Sequence, residues 1–285
     1  MDVRLRLREE HLDPRLPLLG FRDDDLFDLL TRIPAVGSDP ADVARLNQLA
    51  AELVDHLDAP GQVFTKDDAE HPLGQGLLPL LALLATADDV VRWLRGREVP
   101  DEIVWRSLSD LGQQVWVHRL TFGQFGLHTQ GWLQTAWSGR LFWLGRLPHE
   151  LVLADGEWVD SLHIPQSGPL TAQVVDDSLA QAEGFFARHF PDRLPVRRQC
   201  ASWLLDPELA AALPGSNIAA FAERFELTGE GWDGDADAVF FTWRHRGPYE
   251  LDRLPRRTRL ERVVAERLAA GGHWRVCTGI LSPHG

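Results

Sequence analysis

The sequence predicts an α+β chain, a helical N-terminal domain followed by a mixed α/β domain. Three observations carry this. Apolar residues recur at helical spacing through the first third; from about residue 120, glycines and aromatics break that period; and the remainder alternates short β-rich runs with amphipathic helices. The expected domains are 1–118 and 119–285, and 285 residues of which 44% are hydrophobic can bury one large core or two smaller ones.

In the first domain, residues 41–57 set Val43, Leu46, Ala50, Leu53 and Leu57 on one stripe, behind Asp39 as N-cap and Pro40 at the first helical position. Further helices are expected at 76–96, broken near Thr86, and at 101–118, where Val104, Leu108, Leu111, Val115 and His118 recur. Gly123, Gly126, Gly131 and Gly139 then punctuate an aromatic segment, and 139–154 reads as strand interrupted by Gly145 and Pro148. A strand at 161–164 follows, then a helix at 172–190 with Val175, Leu179, Ala182, Phe186 and Phe190 inward. A strand at 199–205, a helix opened by Asp206-Pro207 and a short helix from Ser216-Asn217 come next. Strands near 224–228 and 238–244, a helix at 258–270 and a strand at 273–281 complete the chain.

The formal net charge of −13, from 42 acidic and 29 basic residues, argues against a surface for nucleic acid or anionic lipid. Lys66 is the only lysine, so basic contacts fall to arginine, which suits bidentate recognition of phosphate or carboxylate. The two cysteines, Cys200 and Cys277, make neither a disulfide framework nor a zinc pattern. The N-terminus lacks the apolar core of a signal peptide, and the most apolar run, 76–88, is too short to span a bilayer and contains Pro79. The expectation is a cytoplasmic protein with no bound metal and no membrane span.

Several chemical-looking strings lack their context. Gly229-Glu-Gly-Trp-Asp-Gly234 has the glycine spacing of a dinucleotide loop, but it carries acidic residues and no helix is expected after it. Asp233, Asp235 and Asp237 alternate as in a calcium loop without its distal Glu, and read as an exposed hairpin turn. The acidic run Phe21-Arg-Asp-Asp-Asp-Leu26 could attract a cationic amine, but reads by default as a solvated face. G-x-S-x-G, Walker A and H-E-x-x-H strings are absent. Of the 11 tryptophans most are expected in cores; Trp132, Trp137 and Trp143, clustered around the glycine-rich segment with Arg140 and Arg146, are the candidates for lining a pocket, and of these Trp137, Arg140, Trp143 and Arg146 are expected to meet the substrate.

The segment 161–178 carries the functional reading. Strand alternation sets Leu162 and Ile164 on one face and Ser161 and His163 on the other, after which a turn free of carboxylates leads into a helix capped by Thr171. Backbone N–H groups around Ser167-Gly168 and Leu170-Thr171 suit an anion, although Pro169 removes one donor. By themselves these residues fit either such a cradle or a plain strand-to-helix connection.

His163-Ile-Pro-Gln-Ser-Gly-Pro-Leu170, Cys200-Ala-Ser-Trp-Leu-Leu-Asp-Pro207, Ser216-Asn-Ile218 with Phe221 and Phe225, and Ser138-Gly-Arg-Leu-Phe-Trp-Leu-Gly-Arg-Leu147 resemble a bacterial group of N-acyltransferases. These join a helical N-terminal domain to a GNAT-like C-terminal domain. The resemblance implies a central, largely antiparallel sheet in which one strand splays from its neighbour, and a following loop and helix N-terminus that hold coenzyme A. It implies acyl transfer from acyl-CoA, or from an acyl-carrier protein, to a small-molecule or peptide amine. Ile164, Gln166, Ser167, Gly168, Leu170 and Thr171 would then hold the thioester, with Ile164 polarising its carbonyl. His163 would be the base, Glu150 the second candidate, and Ser202 a candidate acid. Two departures stand out: the loop has Gln166 and one glycine where the common signature has two, and no tyrosine follows the fifth strand, Tyr249 being the only one in the chain. An alternative is a degenerate acyltransferase fold that binds a ligand or partner without turnover; a third is a hydrolase using Ser202 with His163.

Overall fold

The computed structural model describes residues 2–282, in two compact units that divide between Phe142 and Trp143. The first unit holds α1 (Val3–Arg6), α2 (Glu9–Leu12), α3 (Asp23–Ser38), α4 (Pro40–Asp55), α5 (Leu77–Arg95), α6 (Asp101–Leu108), α7 (Asp110–Phe122) and α8 (Gln130–Trp137). The division falls beyond the expected 118/119 boundary because α7 runs on to Phe122 and α8 belongs to the helical core. Trp137 is fully buried there and its Nε1–H donates to Leu83 O at 2.8 Å, while Gln134 accepts from Val63 N–H at 2.8 Å.

Three expectations change in this unit. The helix over 76–96 is continuous: α5 is buried almost all round, and Thr86 turns its hydroxyl back to Ala82 O instead of competing for the backbone. The 101–118 helix divides at Ser109, whose hydroxyl takes Arg106 O as the first piece ends. The acidic run at the start of α3 is not wholly solvated, since Asp25 is buried and accepts from Arg119 Nε at 2.7 Å.

The second unit is built on a six-stranded sheet in the order β1 (Leu141–Leu144), β2 (Leu147–Ala154), β3 (Glu157–Leu162), β4 (Arg197–Ser202), β6 (Arg275–Leu281), β5 (Phe225–Asp233). β3 and β4 run parallel, whereas β2–β3, β4–β6 and β5–β6 are antiparallel. The helices of this unit are α9 (Ala172–His189), α10 (Pro207–Ala212), α11 (Asn217–Ala222), α12 (Asp235–Trp243) and α13 (Arg259–Ala269). α9 supplies the long crossover that a parallel pair requires, and Val175, Leu179, Ala182, Phe186 and Phe190 are all buried. Val175 and Leu179 pack with Leu147, Leu162, Leu170 and Cys200.

The strand expected at 238–244 is instead α12. Its aromatic and β-branched residues favour strands in isolation, but the aspartates ahead of it act as helix-start groups. Asp233 accepts from Asp235 N–H at 3.0 Å, and Asp235 accepts from Trp274 N–H at 2.6 Å and from His273 Nδ1 at 2.7 Å. The expected hairpin turn is thus a strand-to-helix junction. Gly229-Glu-Gly231 lies in β5, where the register against β6 shifts between Thr228 and Trp232.

Candidate active site

β3 and β4 part company at the centre of the sheet. Their pairing ends at Leu162 opposite Cys200. Beyond it His163 N–H stays with β2, donating to Pro148 O at 3.0 Å, while Ser202 stays with β6 opposite Cys277. The resulting notch is bordered by the segment from His163 to Thr171.

Alternation along β2 decides what faces the notch. His149 is opposite Leu162 and fully buried, whereas Glu150 is opposite Ser161 and emerges on the other face. There His163 Nε2 and Glu150 Oε2 are 2.9 Å apart, with side chains 29% and 19% exposed. The two leading catalytic candidates therefore form one hydrogen-bonded pair. A carboxylate in this position fixes the imidazole tautomer and compensates the imidazolium that forms when the ring takes a proton. Ser202 caps the turn at Trp203–Leu205, accepting from Leu204 N–H at 3.1 Å. Cys200 is wholly buried, and burial pushes its thiol up to about 12, which keeps it a neutral thiol.

The six residues expected to hold the thioester lie together. Ile164 packs against the cluster around Leu162, Leu170 and Val175. The Ser167 N–H folds back on Pro165 O at 2.8 Å, and Gly168 takes a φ of 67° that only glycine adopts readily. Among the described residues, the N–H groups of Ile164, Gln166, Leu170 and Thr171 have no acceptor. Thr171 is the N-cap of α9, but its side chain makes no capping hydrogen bond, so the first turn of the helix keeps open donors. The Gln166 side chain points away from the loop and donates to Phe241 O at 2.7 Å.

The four residues expected to line the pocket are distributed differently. Trp137 belongs to the core of the helical unit, and Arg140, also buried there, donates from Nε to Ser138 Oγ at 3.4 Å. Trp143 lies in β1 and is partly buried. Arg146 is half-buried against the loop: Nε donates to Pro169 O at 3.1 Å, and Nη2 to Pro165 O at 3.1 Å and Gly168 O at 3.0 Å. Burial pulls its guanidinium below the ordinary range. Among the described residues no group of His, Cys, Asp and Glu is arranged to hold a metal, and no helix is long and apolar enough to cross a membrane.

A family model described as the GNAT-like C-terminal domain matches residues 115–281, and one described as the N-acyltransferase N-terminal domain matches 10–139. The chain belongs to this N-acyltransferase family. The expected fold class and enzyme class hold with it. Solved structures agree over nearly the whole chain. An acyltransferase mutant in complex with octanoyl-CoA is 32% identical, with a TM-score of 0.88, over 96% of this chain and 88% of that one. An acyltransferase in complex with decanoyl-CoA is 30% identical with a TM-score of 0.86, and one with decanoyl-CoA and teicoplanin is 33% identical with a TM-score of 0.87. Both alignments cover 96% of this chain and 88% of the other. No curated protein matches the chain.

Part of what surrounds the candidate site carries no signal in the sequence. On the face opposite Glu150, Asp160 accepts from His149 Nδ1 at 2.9 Å, and His149 Nε2 lies 3.1 Å from Ser178 Oγ. The Ser178 hydroxyl donates to Leu144 O and accepts from Leu147 N–H at 3.1 Å. All three side chains are fully buried, so this Ser-His-Asp chain is a brace and not a nucleophile. Arg224 pairs with Asp176 at 2.6 Å beside the start of α9. No spacing in the sequence announces either group, because each joins separate elements. Tyr249 stands edge-on to His245 and lines a cavity of about 410 Å³ with Glu250, Arg253 and Leu254.

Proposed function

We propose that the protein carries an acyl group from a coenzyme A thioester to the amine of a small-molecule acceptor, by direct transfer. One observation carries this reading: β3 and β4 part beside a loop whose open N–H groups lead into an uncapped helix start, a site suited to a diphosphate with the thioester lying in the notch. The complexes of similar acyltransferases with octanoyl-CoA and decanoyl-CoA support a medium-chain donor, and the complex with teicoplanin supports a small-molecule acceptor. A thioester of coenzyme A and reduced, unpaired cysteines both suit the cytoplasm.

The chemistry follows from the pair at the notch. The acceptor nitrogen attacks the thioester carbonyl, whose developing oxyanion is held by Ile164 N–H. The amine proton passes to His163, with Glu150 stabilising the charge. The C–S bond breaks, and the thiolate leaves with a proton supplied by Ser202 or water. Burial of Cys200 supports attack without an acyl-enzyme.

Calorimetry with coenzyme A and decanoyl-CoA, followed by thiol release from decanoyl-CoA with and without teicoplanin, tests the reading. Binding plus amine-dependent release is expected. Release without any amine would indicate a hydrolase, binding without release a non-catalytic protein, and turnover only with a loaded carrier protein a different donor.

A further inference from the structure

The geometry points to Arg146 as a positioning residue for the loop between His163 and Thr171, aiming the loop's amides at the donor's diphosphate. This rests on the coenzyme A reading above. Arg146 spends its donors on three carbonyls in five residues, those of Pro165, Gly168 and Pro169. In a trans peptide the C=O of one residue and the N–H of the next point in opposite directions. Drawing in the carbonyl of Pro165 therefore turns out the N–H of Gln166, and drawing in that of Pro169 turns out the N–H of Leu170. Both N–H groups lack an acceptor among the described residues. The Gly168 carbonyl precedes Pro169, which has no N–H to offer, so its bond fixes the loop without adding a donor.

Two features make this more than a surface contact. Arg146 forms no ion pair among the described residues, and its Nη1 is buried without a partner, so the positive charge beside the loop is not neutralised by a carboxylate. Its backbone is also held firmly. Gly145-Arg146 is the two-residue turn between β1 and β2, with Gly145 at a φ of 71° in the first position. Both ends of that turn, Leu144 O and Leu147 N–H, are tied to Ser178 Oγ, which His149 and Asp160 brace in turn. The arginine thus reaches the loop from a rigid base.

The test compares decanoyl-CoA with decanoyl-pantetheine, which keeps the acyl chain and thioester but lacks the diphosphate, in competition binding to the wild type, Arg146→Met and Arg146→Lys. Arg146→Met is expected to weaken decanoyl-CoA about tenfold or more, on the order of one charge-assisted hydrogen bond. Arg146→Lys is expected to do nearly the same, because an ammonium keeps the charge but cannot span the three carbonyls. Decanoyl-pantetheine affinity is expected to stay within about twofold, since the loop's amides do not meet it. Equal losses for both ligands would make Arg146 a merely structural residue, and full retention by Arg146→Lys would make charge, not loop geometry, the operative property; either result overturns the inference. Failure of the wild type to bind decanoyl-CoA would overturn the donor reading and this one with it.

Discussion

Ser178→Ala should be among the most damaging single-atom deletions in the second unit. The side chain is fully buried; its hydroxyl donates to Leu144 O and accepts from Leu147 N–H, with His149 Nε2 3.1 Å away. Removing it leaves Leu144 O and Leu147 N–H without that partner in the buried interior. An unsatisfied buried polar group costs about 1–3 kcal/mol, so even at the low end the two together cost about 2 kcal/mol. For a unit of this size that corresponds to a fall in Tm of roughly 6 °C. Urea unfolding followed by tryptophan fluorescence and circular dichroism measures it. Because the same hydroxyl anchors the turn that carries Arg146, decanoyl-CoA affinity should fall as well. A loss below about 0.5 kcal/mol, the size of a surface substitution, would refute the reasoning and mean that the turn holds without the hydroxyl.

Three further outcomes follow from the same structure. His163→Ala should lower turnover about 10²-fold or more while leaving decanoyl-CoA affinity intact, and Glu150→Gln should act in the same direction more weakly; parallel losses of turnover and affinity would count against a proton-transfer role. Gly145→Ala should cost about 2 kcal/mol or more, since the position has a φ of 71° and an added Cβ would sit 3.2 Å from Ser178 Cα; a denaturation midpoint equal to wild type would contradict this. Burial alone would raise the carboxyl of Asp68, but the Thr65 N–H and hydroxyl and the Arg45 guanidinium outweigh it and hold the group below its ordinary 3.8. A depressed carboxylate stabilises the fold above the unfolded value and loses that contribution as pH falls through the folded one. The stability gap between wild type and Asp68→Asn should therefore be widest near neutrality and close below about pH 4, and a gap independent of pH would show that the ionised form is not what matters.

Much of the architecture was legible because it depends on local chemistry. Asp39-Pro40, Asp206-Pro207 and Ser216 cap helices where expected, and the inward stripe of α9 is buried at every expected position. The misreadings have a common cause. α12 looks like a strand because Val239, Phe240 and Phe241 favour one, and only Trp274 and His273, brought alongside by β6, make Asp235 a helix-start anchor. α5 looks breakable at Thr86 until its buried surroundings leave the hydroxyl no partner but its own helix.

The sequence by itself determined the helical first part, the mixed second part, the loop at 163–171 and the resemblance to N-acyltransferases, since these rest on periodicity, caps and contiguous motifs. Only the tertiary structure decided what those residues do for one another. Sheet register turns Glu150 and His163 to one face and His149 to the other, although the first and last are neighbours in the chain. It also turns Arg146 from a candidate for holding substrate into the residue gripping the loop's carbonyls. The physical reason is that a hydrogen bond across 13 or 23 residues depends on how strands pair and where a turn points, and no local spacing encodes either.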